Sequence, residues 1–80
     1  MRGRGGGQMA TIGAVVYIGE QLRRLREERA LRQDDLAKLA RIGKNTVNRI
    51  EKNRTEPHMT TIRKLAAALG VDPAELVRGE

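Results

Sequence analysis

The chain has no cysteine, phenylalanine or tryptophan, and only one tyrosine, one histidine and two prolines among its 80 residues. Each shortage excludes something. Without cysteine there can be no disulfide and no thiolate metal site, and the redox compartment is left open. With Tyr17 as the sole aromatic, the core must be built from Leu, Ile, Val, Ala and Met, a composition suited to closely packed short helices. His58 lies in a loop with no acidic cluster beside it, so it reads as an ordinary exposed imidazole and not as a metal ligand or general base. The acidic pairs Glu27-Glu28 and Asp34-Asp35 are sequential, so their members point in different directions and do not form an acid–base couple. Neither catalysis nor a cofactor is expected, and no small-molecule ligand is evident. The apolar run at residues 12–18 is too short to span a bilayer and no signal-peptide cleavage pattern follows it, so a cytoplasmic location away from membranes is expected.

What the chain does have is positive charge. Sixteen Lys and Arg oppose ten acidic residues, for a formal net charge of +6. Such a balance favours a polyanionic partner, nucleic acid before membrane. The charge is also concentrated: within residues 41–54 five basic side chains oppose only Glu51. Phosphate contacts supply most of the affinity of a DNA reader, so this concentration marks the segment.

That segment overlaps the stretch on which the chain is organised, residues 33–51, QDDLAKLARIGKNTVNRIE. Leu36, Leu39 and Ala40 form one helical apolar stripe, and Val47 and Ile50 form another. Arg41-Ile42-Gly43 between them is long enough only for a tight turn. Two short helices joined in this way cross steeply, and Ala37 offers a side chain small enough to let their axes approach. This is the pattern of a helix-turn-helix. The outer face of the second of these helices carries Lys44, Asn45, Asn48 and Arg49, side chains able to hydrogen-bond base edges. A solvated face of a small bundle is the plainer account, but polarity, charge sign and position all favour DNA.

Around this centre the remaining elements can be placed. Residues 1–8, MRGRGGGQ, have nothing to bury and should form a disordered start, with a basic arm touching phosphate or a minor groove as its functional reading. Residues 10–18 are rich in β-branched side chains, and suit either a strand pairing with a second copy or an apolar lead-in to the first helix. Residues 1–17 are thus read as an arm and 18–80 as the folded domain. A first helix over 19–29 buries Leu22, Leu25 and Ile18. Propensity alone would let it run on to Ile42, but the apolar phase breaks at 30–32, so a coiled coil is disfavoured and Leu31 becomes a core anchor in a turn. Asp34 and Asp35 suit the first turn of the second helix. After a polar loop ending in Pro57, Thr60 or Thr61 is expected to cap a fourth helix that buries Ile62, Leu65, Ala66 and Leu69 and stops at Gly70. Asp72-Pro73-Ala74-Glu75 reads as the capped start of a fifth, with Leu76 and Val77 packed inward. No effector domain is expected within a chain that runs to Glu80.

LRRLREERALRQDDLAKLARIGKNTVNRIEKNRTEP, followed by LAAALGVDPAELV, resembles the Xre/Cro/phage-repressor family of helix-turn-helix domains. The likeness spans about residues 18–77, and QDDLA, NTVNRIE and ALGV are its most specific parts. It implies an all-α, lambda-repressor-like domain of five short helices, to which the composition of residues 1–17 adds a flexible N-terminal arm. It implies sequence-specific binding of double-stranded DNA, acting as a transcriptional repressor and a homodimer on an inverted repeat. By position, Lys44, Asn45 and Arg49 correspond to the family's base readers, with Thr46 and Asn48 beside them. Gln33 corresponds to the glutamine that braces against phosphate and the third helix. Lys52 and Arg54 correspond to a phosphate-clamping loop, and Arg41 adds positive charge there. Arg26 and Glu51 correspond to an ion pair that ties the first helix to the end of the third. The family favours glycine where this chain has Ala30, Arg41 and Asn53. If those sites keep left-handed dihedrals, Ala30 and Arg41 each cost about 1 kcal/mol. The family's serine caps are replaced by Arg32 and Gly43, of which only glycine is an adequate cap.

Two further readings use the same fold differently. A protein-interaction module would present an apolar outer face on the third helix, which Lys44, Asn45, Asn48 and Arg49 contradict. An antitoxin that also binds its own operator is compatible, but no segment to grip a toxin is evident. For the dimer two contacts are available, the region around the fifth helix (residues 71–77) and the run at 12–18. The second is preferred here because its apolar surface otherwise has no burial partner.

Overall fold

Ile18, which closes the β-branched run, is fully buried and starts the core. The computed structural model describes residues 17–78. The expected arm and all of the 12–18 run except Tyr17 and Ile18 lie outside those residues. From Ile18 onward five helices follow in order: α1 Gly19–Glu28, α2 Gln33–Ala40, α3 Lys44–Glu51, α4 Met59–Leu69 and α5 Pro73–Arg78. No strand occurs among the described residues. α2 packs against both α3 and α4, α5 packs against α4 and α1, and α1 closes the ring against α3.

The core is aliphatic, as the lack of aromatics requires. Ile18, Leu22, Leu36, Val47, Ile50, Ile62, Leu65 and Leu76 are all inaccessible to solvent or nearly so. Each such side chain stabilises by roughly 1.5–3 kcal/mol relative to exposure. On α1 the buried Leu22 and Leu25 lie three residues apart. Its outer face carries the Arg23–Glu27 and Arg24–Glu28 pairs at 3.2 and 3.1 Å. These exposed pairs add about 0.2–0.5 kcal/mol each to the helix.

Four helices end in the same backbone device. The N–H groups of Ala30 and Leu31 bond the carbonyls of Glu27 and Arg26, and those of Arg41 and Ile42 bond Lys38 and Ala37. Asn53 and Arg54 repeat the pattern on Ile50 and Arg49, and Gly70 and Val71 repeat it on Ala67 and Ala66. In each case the first residue is left-handed, with φ of 56° at Ala30, 61° at Arg41, 57° at Asn53 and 73° at Gly70. This is the Schellman end, which closes orphan carbonyls and turns the next side chain back onto the helix. At three of the four ends that next residue is apolar, and Leu31, Ile42 and Val71 pack against the core. Burial of that side chain enforces the turn even where the left-handed position holds Ala or Arg.

The structure corrects three expectations. Leu39 is 57% exposed, and α2 buries Leu36, Ala37 and Ala40 instead. Because α2 faces two helices at once, its contact arc is filled by two alanines that let α3 and α4 come close, and Leu39 falls on the flank. α4 starts at Met59 with His58 in the N-cap position, so neither Thr60 nor Thr61 is the cap. The Ile62 N–H bonds the His58 carbonyl at 2.9 Å, so the helical ladder begins two residues before Thr60. Val77 is 37% exposed, so Leu76 alone anchors α5 in the core. At the start of α5 the Asp72 carboxylate accepts the Ala74 N–H at 2.8 Å, as an N-cap does.

Candidate nucleic-acid interface

α2 packs against α3, whose amino-terminal end is exposed, and Arg41 and Lys44 flank the turn between them. The turn between them has Arg41 in the left-handed region and Gly43 extended (φ −74°, ψ 148°) as the N-cap of α3. No acidic residue stands in the first turn of α3, so its positive dipole end is not neutralised from within the helix. α2 differs. Asp35 accepts the Arg32 N–H at 3.0 Å and the guanidinium Nε at 3.3 Å, which supplies half of a capping box although arginine itself is no cap. Those bonds hold the Asp35 carboxyl below its ordinary value, the backbone bond contributing most.

Val47 and Ile50 fix α3 to the core. The opposite face, with Lys44, Asn45, Thr46 and Arg49, is exposed, and Lys52 and Arg54 continue it past the helix end. Arg41 is exposed at the preceding turn. Gln33 and Asn48, by contrast, are half-buried and bonded to each other: the Asn48 Nδ2 donates to the Gln33 Oε1 at 3.2 Å.

Behind that pair stands the ion pair. Arg26 donates through Nε to the Glu51 Oε2 at 2.6 Å and through Nη2 to Oε1 at 3.0 Å, while its Nη1 bonds the Leu31 carbonyl at 2.8 Å. Gln33 Nε2 donates to the same Glu51 Oε1 at 3.1 Å. The side chains of Arg26 and Glu51 are 12% and 4% exposed. The hydrogen bond that Arg26 donates to Glu51 outweighs burial and raises the Arg26 pKa above its ordinary value. α1, α2 and α3 are thereby locked together at one point behind the exposed face. Gln33 and Lys52 line the same open depression of about 260 Å³ there.

Gly19 and Arg29 had no signal in the sequence strong enough to single them out, and Asn53 stands out there only as a residue that tolerates the left-handed position where the family favours glycine. Asn53 accepts the Gly19 N–H on its Oδ1 at 3.0 Å, capping α1 from the far side of α3, where the local residue Ile18 cannot. Gly19 is needed for that approach: a Cβ there would lie 2.4 Å from the Glu51 carbonyl oxygen and 2.7 Å from that of Ile50. Arg29 donates to the Leu69 carbonyl at 2.7 Å and to that of Leu25 at 3.0 Å, joining the ends of α1 and α4. The Asn53–Gly19 and Arg29–Leu69 contacts join residues 34 and 40 positions apart, and no local pattern encodes them.

A helix-turn-helix family model matches residues 22–76. The chain belongs to that family, of the Xre/Cro type. Among curated relatives of this helix-turn-helix domain, the cryptic phage CTXphi transcriptional repressor RstR of Vibrio cholerae is 44% identical over 60 residues, covering 75% of this chain and 54% of the relative. The HTH-type transcriptional regulator DdrOP3 of Deinococcus deserti is 38% identical over 60 residues, 75% of this chain and 46% of its own. The chain spans about half the length of the curated relatives it matches. Among solved structures, the restriction-modification controller protein C.AhdI from Aeromonas hydrophila superposes with a TM-score of 0.73 at 36% identity, covering 76% of this chain and 92% of that one. The P22 c2 repressor in complex with a synthetic operator superposes at 0.74 and 28% identity, covering 79% and 96%. The five-helix, lambda/P22-repressor-like architecture is thus shared. No helix among the described residues is long and apolar enough to cross a membrane.

Proposed function

We propose that this helix-turn-helix domain binds double-stranded DNA sequence-specifically and serves a cytoplasmic transcriptional repressor. The observation that carries the reading is the exposed outer face of α3, where Lys44, Asn45, Thr46 and Arg49 stand clear of the core. Held by Val47 and Ile50 and braced from behind by Arg26 and Glu51, this helix has the dimensions to lie in a major groove. Lys44, Asn45, Thr46, Asn48 and Arg49 are the base-reading set. Gln33, Arg41, Lys52 and Arg54 are the phosphate set, and Gln33 reaches phosphate while it braces Asn48. No catalytic step belongs to this reading.

One such helix touches few base pairs, too little to define a genomic site, so the reading includes a homodimer on an inverted repeat with half-site centres about 34 Å apart. Met59 and Val77, exposed beside Pro57 where the start of α4 comes near the end of α5, support a contact around the fifth helix. The run at residues 12–18 is the other candidate, though its Ile18 is already buried in the core.

Selection of bound sequences from random duplexes, with a salt series, tests the reading. Arg49→Ala should cost about 1–3 kcal/mol on the selected site and relax preference at one position. Lys52→Ala should weaken all sequences alike and lower the salt slope by about 1. Equal losses on selected and random DNA for both variants would overturn the assignment. Sedimentation of a variant lacking residues 1–16 separates the dimer contacts, since an intact dimer assigns the contact to the fifth helix. One chain per operator at saturation would rule out both.

A further inference from the structure

The polar chain behind α3 has a direction, and the direction is dictated by chemistry. The Glu51 carboxylate can only accept hydrogen bonds, and Arg26 can only donate. An amide placed against that carboxylate must therefore present its NH2 group, because its oxygen would face an anionic oxygen. Gln33 does so, with Nε2 at 3.1 Å from the Glu51 Oε1. Its Oε1 is consequently turned to Asn48 and accepts the Asn48 Nδ2 at 3.2 Å. The same constraint then passes one residue further. Asn48 must keep its NH2 group toward Gln33, which directs its Oδ1 away from Gln33. An unbraced asparagine could turn its amide end over end at little cost and offer either polarity. Turning this one would break the bond to Gln33 and set two oxygens together.

Resting on the DNA reading above, we propose that Glu51 and Gln33 are positioning residues that fix the polarity of Asn48. Asn48 then offers an acceptor to the base edge and selects an amino base on the strand it faces. In the major groove the base donors are the adenine N6 and cytosine N4 amino groups, whereas guanine offers N7 and O6 and thymine offers O4, all acceptors. Arg49 next to it is donor-only. Adjacent positions on α3 therefore read opposite polarities, and the Arg26–Glu51 pair gives one of them its sign.

The test uses the full chain in selection from random duplexes, followed by competition binding with single-base changes. Asn48→Ala identifies the position that Asn48 reads, as the one whose preference flattens. The parent should prefer adenine or cytosine there over guanine or thymine by roughly three- to tenfold, the range of one hydrogen bond. Gln33→Leu should flatten the same position while also weakening binding to every duplex. Asn48→Asp is acceptor-only whichever way it turns. It loses the bond to Gln33 and so should bind every duplex more weakly, but it should keep the amino-base preference, also in the Gln33→Leu background. It serves as the deciding variant if the truncated one melts below the assay temperature. Guanine or thymine at that position, a preference that survives Gln33→Leu, or no position flattened by Asn48→Ala would each overturn the proposal while leaving a selected motif and the DNA reading intact. Failure of the parent to enrich any motif would overturn both.

Discussion

Replacing Glu51 by Gln keeps the shape of the side chain and removes only its charge. In the native domain that charge is 4% exposed and receives two bonds from Arg26, at 2.6 and 3.0 Å, and one from Gln33 at 3.1 Å. In the variant the amide oxygen can still accept from one donor, but its NH2 group faces another. The Arg26 guanidinium, 12% exposed, keeps its bond to the Leu31 carbonyl and loses its counter-charge. Stranding one member of a buried pair costs roughly 3–5 kcal/mol, and the retained bonds place this case near 3. A domain of this size has only about 4–12 kcal/mol of stability, so the loss is a large share. At about 4–8 °C per kcal/mol, the melting temperature should fall by at least about 12 °C. Urea and thermal unfolding followed by circular dichroism would measure it. The double variant Arg26→Met, Glu51→Leu should recover most of the loss, because no charge is then left without a partner. A Glu51→Gln domain within about 1 kcal/mol of the parent, or a double variant no better than the single, would refute the reasoning.

Gly19→Ala should destabilise by about 1–3 kcal/mol, because the new methyl collides with carbonyl oxygens of α3 and displaces the Asn53 cap; denaturant midpoints check it. Ala30→Gly and Arg41→Gly should each stabilise by about 1 kcal/mol by relieving a left-handed non-glycine residue, as the unfolding midpoint would show. For Arg41→Gly the gain in stability should come with a uniform loss of DNA affinity and a salt slope lower by about 1, read by titration at several salt concentrations. Asp35 has a lowered folded pKa, so its contribution is present above the carboxylate's unfolded value and is lost as pH falls through the folded one. Asp35→Asn should accordingly flatten the acid limb of the stability–pH profile, measured by melting from neutral pH downward.

The sequence by itself determined the helices, their order and the chemistry of the exposed face. Spacings of three and four residues between Leu22 and Leu25, Val47 and Ile50, and Ile62, Leu65, Ala66 and Leu69 are local facts, and burial follows them. The left-handed strain at Ala30 and Arg41 was legible only through the family resemblance, which favours glycine there, and the structure adds that the apolar residue after each packs inward. Tertiary structure decided what depends on two elements meeting. Leu39 has the right spacing for the core, but α2 is gripped from two sides by close neighbours that only its alanines can accommodate. The start of α4 lies at His58 and not at the threonines, because the His58 carbonyl already accepts the first helical bond, from the Ile62 N–H. Asn53 looked like a tolerated substitute for glycine, and only the approach of Gly19, 34 residues away in the chain, makes it a cap. The polarity of Asn48 is likewise absent from its neighbours in sequence. It is set by a carboxylate on the same helix acting through an amide on another, since hydrogen-bond direction passes through space and not along the chain.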